Sequence, residues 1–307
     1  MNTETVPAFG GPEPVAPVTR HVQVVANPTA GGFRFQTLDR LVARLDDLGV
    51  RTDVRLTRQA GELVEIARGL SPTVDTLVVG GGDGSINEAV RGLVDRPAAP
   101  PALAILPFGT ANVLAAELSL PFAAHRIAES IVARKIAPLY LGRIGDRPFL
   151  LMASAGFDAA VVHGVDPKLK RRIGKLAYVA AIFRLAFRRD RPDVIVTADG
   201  ETFTCRIAVA TTARCYGGPL TLTPHTGVTV PGLRLVTVDD DRPLALLKAG
   251  VMLGLGRLAR LSGVTDRAVV KVRFAGADVE MQVDGDPIAP TNGSIEAHPR
   301  VLSIITA

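Results

Sequence analysis

The clearest chemistry in this sequence lies at residues 80–88, which read Gly-Gly-Gly-Asp-Gly-Ser-Ile-Asn-Glu. The apolar residues before them indicate a buried strand, and the pattern after them indicates a helix. Glycine permits backbone angles that other residues resist and lets a ligand approach the main chain closely. The N–H groups of such a turn, with the helix N-terminus, suit a phosphate, and Asp83 would face the ligand or its metal ion. A turn that only connects strand and helix is the alternative, but four glycines around one carboxylate favour phosphate chemistry.

Two more turns of small and polar residues follow predicted strands. Residues 27–32 (Asn-Pro-Thr-Ala-Gly-Gly) come after a strand at 22–26, and residues 107–112 (Pro-Phe-Gly-Thr-Ala-Asn) come after a strand at 102–106. A helical pattern follows each turn, and a further strand and helix occupy residues 52–70. Alternating strands and helices predict a doubly wound parallel α/β domain over residues 21–136. In such a sheet the turns at the carboxyl ends of the strands line one crevice.

The pattern changes after residue 136. Short alternating runs separated by turn signals such as Asp199-Gly200 and Asp284-Gly285 predict an antiparallel sandwich or barrel over residues 137–307. Two helical segments interrupt these strands, at about residues 168–190 and 243–261. Residues 1–20 contain four prolines and little apolar periodicity, so we expect a disordered tail there.

Composition excludes several classes of protein. Hydrophobic residues make up 47% of the 307 residues and Trp is absent, which argues for packed cores and against an aromatic platform for nucleic acid. Two cysteines are too few for a disulfide framework, so we expect a reducing compartment and no structural zinc. No signal peptide or membrane-spanning helix is apparent, and any membrane contact should be peripheral.

The net charge of +5 is mild, but residues 168–191 concentrate nine basic residues among apolar ones. Such a basic amphipathic helix can lie on an anionic membrane surface. A domain helix with a solvated basic face is an equal alternative. Nucleic-acid binding is a third reading, and no recognised motif supports it.

The three turns, in order and spacing, resemble the signatures of the diacylglycerol kinase catalytic family, which includes bacterial diacylglycerol kinases, sphingosine kinases and ceramide kinases. Residues 156–159 (Gly-Phe-Asp-Ala), 170–178 and 282–286 (Gln-Val-Asp-Gly-Asp) look like its second-domain motifs. The resemblance implies an α/β domain with a C-terminal antiparallel β-sandwich, and ATP- and Mg²⁺-dependent phosphorylation of a lipid hydroxyl in the cleft between them.

The resemblance also implies roles for individual residues. Asp286 matches the general base of bacterial members, and sphingosine kinases give that role to the position of Asp83, which otherwise organises Mg²⁺. Asp166 resembles, across a gap, a position that holds the lipid head. The positions that match nucleotide-binding residues are Asn27, Gly31, Gly32, Thr57, Gly81, Gly82, Gly84, Ser85, Ile86, Asn87, Glu88, Gly109, Thr110, Asn112 and Arg171.

Three positions depart from the family pattern. Val113 replaces an aspartate of many diacylglycerol kinases, as in sphingosine kinases, which puts diacylglycerol in doubt as the acceptor. Asp286 stands where the family usually has a longer glutamate. Residues 228–233 lack the acids that bind a structural Mg²⁺ in some bacterial members, so we expect no such site.

The sequence leaves other functions open. An NAD kinase shares the Gly-Gly-Asp-Gly turn and the two-domain plan, but its Asn-Glu pair lies well downstream, whereas Asn87 and Glu88 follow the turn directly. A non-catalytic lipid- or nucleotide-binding module is the third possibility, and the presence of both Asp83 and Asp286 argues against it. For the kinase we expect a cytoplasmic protein at the inner face of the membrane, and a homodimer is possible because bacterial relatives are often dimers.

Overall fold

The computed structural model describes residues 20–166, 176–188 and 191–307, and these form three six-stranded sheets and a short hairpin. The first half of the chain contains β1 (His21–Ala26), α1 (Phe35–Asp47), β2 (Arg51–Leu56), α2 (Glu62–Arg68), β3 (Thr76–Gly81), α3 (Asp83–Val94), β4 (Ala102–Pro107), α4 (Val113–Glu117), α5 (Ala124–Ala133), β5 (Ile136–Leu139), β6 (Gly142–Ile144), β7 (Arg147–Phe149), β8 (Met152–Gly156) and α6 (Phe157–Gly164).

The second half contains α7 (Leu176–Ala186), β9 (Val194–Ala198), β10 (Glu201–Cys205), β11 (Ile207–Thr211), β12 (Cys215–Tyr216), β13 (Leu220–Thr221), β14 (Leu233–Val238), α8 (Pro243–Gly254), a 3₁₀ turn (Leu258–Arg260), β15 (Val264–Val269), β16 (Lys271–Ala275), β17 (Met281–Val283), β18 (Asp286–Ile288), β19 (Ile295–Ala297) and β20 (Leu302–Ile305).

The first sheet has the order β2-β1-β3-β4-β20-β5, and β1 to β4 are parallel. The inner strands β1, β3 and β4 are buried on both faces because α1 and α5 cover one side and α2 and α3 cover the other, whereas the edge strand β2 is largely exposed. Continuous apolar strands between two helical layers are the usual pattern of such sheets. The predicted doubly wound α/β fold is confirmed.

The same sheet is completed from the far end of the chain. Strand β20 pairs parallel to β4 and antiparallel to β5, so Leu302–Ile305 belong to the first sheet. The predicted division at residue 136 did not anticipate this return, because a four-residue apolar strand gives no sign of its partner.

The rest of the chain forms an antiparallel β-sandwich, as predicted. Its sheets have the orders β10-β9-β16-β19-β6-β7 and β15-β14-β11-β8-β17-β18. Apolar side chains from both sheets meet in a single core that includes Phe149, Val196, Leu235, Phe274 and Met281. Between this sandwich and the first sheet runs a shared core, to which α3, α4 and β8 contribute.

The two helical segments predicted in the second half are present in shorter form. α8 ends at Gly254, before the 3₁₀ turn, and α7 covers the later part of the first segment, whose residues 168–175 lie outside the described ranges. Within those ranges no helix combines the length and the apolar composition needed to cross a bilayer.

Candidate active site

The three turns identified in the sequence meet at one edge of the first sheet, where β1, β3 and β4 are neighbours. The Gly32 N–H donates to the Phe108 carbonyl at 2.8 Å, and the Phe108 N–H donates to the Gly81 carbonyl at 2.9 Å. The third turn therefore contacts both the first and the second. This is the carboxyl edge, at which open parallel sheets bind their ligands.

Close approach explains the glycines better than backbone freedom does. A Cβ atom on Gly109 would lie 2.5 Å from the Gly82 Cα, and one on Gly82 would lie 2.9 Å from the Gly109 Cα. Gly82 itself has a φ of −94°, which other residues adopt readily, so an unusual backbone angle, one of the two expected reasons for glycine, does not apply at this position. Glycine is needed here because the second and third turns pack backbone against backbone.

Asp83 is the first residue of α3, and its position is set by both neighbouring elements. Gly82, the N-cap, has no side chain, and no side-chain hydrogen bond caps the N-terminus of α3. The half-buried Asp83 carboxylate accepts the Leu114 N–H of α4 at 3.3 Å. One carboxylate and the positive end of a helix therefore lie side by side at the crevice.

Asn27 ties the first turn to α3. Its Oδ1 accepts the Thr29 N–H at 2.9 Å and the Thr29 hydroxyl at 2.8 Å, while its Nδ2 donates to the Ser85 Oγ at 3.3 Å. Gly31 lies beside the third turn, because a Cβ on it would be 3.6 Å from the Thr110 Oγ1. The predicted residues Asn27, Gly31, Ser85 and Thr110 are thus brought together.

Asn112 closes the third turn. It has a left-handed φ of 47°, which asparagine tolerates better than most residues. Its Oδ1 accepts the Gly109 N–H and its Nδ2 donates to the Gly109 carbonyl, both at 2.8 Å. The side chain therefore shapes the turn from within.

Three other predicted residues have structural partners. The Ile86 side chain is 1% exposed and its N–H donates to the Gly82 carbonyl, so neither group is available to a ligand. Glu88 accepts the Gly61 N–H at 2.9 Å, which fixes the start of α2. Thr57 is buried in the turn after β2, where its N–H donates to the Ala26 carbonyl.

The sandwich contributes Asp286, at the start of β18. Its side chain is 63% exposed and lies 3.5 Å from the Arg147 guanidinium of β7. The helix that begins at Asp83, α3, lies against β7. Asp286 therefore lies on the side of the sandwich that meets the α/β domain, although it is far from Asp83 in the sequence.

Asp284 is a residue that the sequence prediction missed, although it lies in the same motif. It has a left-handed φ of 51° and accepts three N–H groups, from Leu150, Leu151 and Met152, at 2.7 to 2.9 Å. Burial raises the pKa of this carboxyl to about 6, against the opposing effect of the three hydrogen bonds. Asp284 anchors the turn that presents Asp286.

A buried polar network supports the same turn. Gln282 Oε1 accepts the Gly285 N–H at 2.7 Å, and its Nε2 donates to the Ser154 Oγ at 2.8 Å and to Asp158 at 3.1 Å. The Ser154 and Tyr216 hydroxyls both donate to the Asp158 carboxylate. Burial, and then the charge of Asp158, hold the pKa of the Tyr216 hydroxyl well above its usual range.

The last four predicted residues are Arg171, Asp166, Asn87 and Gly84. Arg171 lies outside the described residues. Asp166 is exposed and immediately precedes that gap, at the end of the segment that follows α6. Asn87 and Gly84 lie in the first turns of α3, where a Cβ on Gly84 would meet open space.

This geometry defines a two-domain protein with a crevice at the carboxyl edge of an α/β sheet, faced by a β-sandwich. Residues 21–144 match the diacylglycerol kinase catalytic domain, and residues 152–306 match the YegS C-terminal NAD kinase beta sandwich-like domain. The chain belongs to the diacylglycerol kinase family.

Named relatives agree with this membership. The chain is 29% identical over 186 residues to a diacylglycerol kinase of Staphylococcus saprophyticus, covering 60% of this chain and 61% of that one. It is 27% identical over 186 residues to that of Staphylococcus carnosus, covering 60% of each. The match thus spans about three-fifths of these relatives. A solved structure of a diacylglycerol kinase from Bacillus anthracis has the same fold, with a TM-score of 0.78 at 20% identity over 94% of this chain and 97% of that one.

Proposed function

We propose that the protein is an ATP-dependent lipid kinase, which transfers the γ-phosphate of ATP to the primary hydroxyl of a membrane lipid. The observation that carries this proposal is the meeting of three turns at the uncapped N-terminus of α3, beside Asp83. Phosphoryl transfer depends mainly on positioning and on neutralising charge, and this arrangement offers both.

The residues present fit a magnesium ion. Among the described residues no cluster of three or more His, Cys, Asp and Glu side chains has the arrangement of a metal site. Mg²⁺ in kinases needs less, because one or two carboxylates hold it together with substrate phosphates. Asp83 is the carboxylate that would hold it, and the ion would neutralise the negative charge of the phosphates.

Asp286 and Asp83 are the two candidates for the general base. A general base must reach the acceptor hydroxyl, and the exposed Asp286 on the sandwich is suited to accept that proton. Arg147 at 3.5 Å keeps a positive charge beside it. Asp83 is the alternative base, and the two assignments predict different residual activities in single variants.

The identity of the acceptor depends on the third turn. Val113 is 7% exposed and packs in the shared core, so it presents no carboxylate at the position where many family members have one. We propose a ceramide or a sphingoid base as the acceptor, with diacylglycerol as the competing candidate. The lipid would be met at the inner face of the membrane by a cytoplasmic protein.

A panel assay tests this proposal: Mg²⁺ and labelled ATP with ceramide, sphingosine, diacylglycerol and NAD presented separately, the lipids in mixed micelles. Label in any lipid supports the kinase, and label in NAD alone would replace it with an NAD kinase.

The Asp83→Asn variant tests the site itself, because asparagine keeps an acceptor for the Leu114 N–H but removes the charge. We expect a loss of at least about 100-fold in kcat with an unchanged melting temperature. Asp39→Asn, on the exposed face of α1, is the matched control. Full activity in Asp83→Asn would remove this residue from the mechanism, and no transfer to any acceptor by the parent protein would favour a binding module.

A further inference from the structure

The helices α7 and α8 expose apolar side chains along one stripe each. Each stripe has four apolar residues with the same spacing, three within the helix and one directly after its last residue. Each of these side chains is between 55% and 71% exposed. Apolar residues at i, i+3, i+7 and i+11 share one face of a helix. These residues are Leu176, Val179, Phe183 and Phe187 on α7, and Leu244, Leu247, Val251 and Leu255 on α8.

Both helices pack against the same small core. Ala181 and Leu185 on the inner side of α7 pack into a small core with α6, and Leu246 of α8 packs against that same core. No residue of α8 is buried. A cavity of about 500 Å³ lies between its first two turns and the segment 261–264. The helix therefore packs against the shared core through partly buried residues such as Ala249 and Leu253, and it directs its other apolar face toward solvent.

Every charge on these two helices is positive. Arg184 is the one charged residue of α7, and Lys248 is the one charged residue of α8. Exposed arginines follow both helices, at Arg188, Arg257 and Arg260. An apolar surface edged with cations complements an anionic bilayer, in which side chains enter the acyl boundary and cations meet headgroups.

We propose that the stripes of α7 and α8 together form a docking surface for an anionic lipid bilayer. The proposal extends the proposed lipid kinase to the surface from which it would take its substrate. A second copy of the chain fits this surface less well, because the helices of both copies carry only positive charges, and Asp240 just before α8 is already paired with Arg242. The contribution of α8 distinguishes this surface from a basic helix at residues 168–191 acting alone.

Sedimentation of the full chain with vesicles, without ATP, tests the proposal. The vesicles contain phosphatidylcholine alone or phosphatidylcholine with phosphatidylglycerol. The variant pairs are Leu247→Ser with Val251→Ser on α8, and Val179→Ser with Phe183→Ser on α7. The control pair is Val54→Ser with Val270→Ser. Val54 is 45% exposed and lies on β2, the edge strand of the first sheet. Val270 is 81% exposed and follows the last residue of β15.

We expect binding to the phosphatidylglycerol vesicles that weakens with salt, and a fall of about tenfold in the partition coefficient for each helix pair. The control pair should bind like the parent protein. Parental binding by both helix pairs would overturn the proposal, and so would equal binding to vesicles without phosphatidylglycerol. A dimer that dissociates in the α8 pair, without any change in vesicle binding, would assign the surface to a second copy.

These measurements test the docking proposal and the kinase proposal independently. Activity toward a short-chain, micelle-free acceptor should be the same in the parent and in both helix pairs, because none of the four residues lies in the crevice. Normal vesicle binding by a chain that transfers no phosphate would refute the kinase and leave the docking surface in place.

Discussion

The buried carboxyl of Asp284 should make the stability of this protein depend on pH in an unusual direction. Its pKa is raised from 3.8 to about 6, chiefly by burial. The folded state therefore holds a proton between these two pH values that the unfolded state has released. A raised pKa contributes stability that is complete below the unfolded value and is lost as the pH rises through the folded value.

The size of the effect follows from the shift. A difference of about two pKa units corresponds to about 3 kcal/mol, since one unit is 1.36 kcal/mol. In Asp284→Asn the amide Oδ1 can still accept the N–H groups of Leu151 and Met152, but Nδ2 now faces the Leu150 N–H. That mismatch of two donors lowers stability by a constant amount and adds no pH dependence.

The assay is urea unfolding, followed by far-ultraviolet circular dichroism, at a series of pH values from 4 to 7.5. The free energy of unfolding of the parent protein minus that of Asp284→Asn should fall by about 3 kcal/mol across this range. Asp278→Asn is the matched control, because Asp278 has a similar left-handed φ of 57° but is exposed. Parallel curves for the parent and Asp284→Asn would refute the buried, proton-binding role of this carboxyl.

Two further substitutions test how the site is built. Gly109→Ala places a Cβ 2.5 Å from the Gly82 Cα and forces the third turn away, so ATP affinity should fall at least about tenfold in a titration and the melting temperature should fall as well. Gly250→Ala, where a Cβ meets open space, is the control, and unchanged affinity would deny that the two turns must touch. Gln282→Leu leaves the Gly285 N–H without its acceptor, so kcat should fall by about 10-fold or more with the KM for ATP unchanged. The exposed Gln23→Leu is its control, and a change confined to the KM for ATP would place the effect of Gln282 elsewhere.

The α/β half of the site was predictable because its signals are local. Each of the three turns follows an apolar strand and precedes a helix, and the topology of parallel sheets places such turns at one edge. Nothing in the sequence indicated that Gly82 lies against Gly109, and the unusual φ that the sequence suggested for Gly82 is absent. A backbone contact between two turns leaves no trace in the pattern of either one.

The sandwich half of the site was harder to predict because its contacts join distant parts of the chain. Asp284 was visible as part of an Asp-Gly-Asp turn, but its three N–H partners lie in residues 150–152. Tyr216 and Asp158 likewise meet only through the pairing of strands across the sheet. A buried carboxylate whose partners are backbone groups can be identified only once the fold is known.

The place of β20 in the first sheet has a consequence for how the protein is made. During translation β1 to β5 emerge first, but the position between β4 and β5 stays vacant until residues 302–305 leave the ribosome. The sandwich must therefore be synthesised while the α/β sheet is still incomplete. A stop codon just before residue 302 would damage the α/β domain although that domain is encoded upstream of the sandwich, and a fragment ending near residue 144 would lack a strand between β4 and β5.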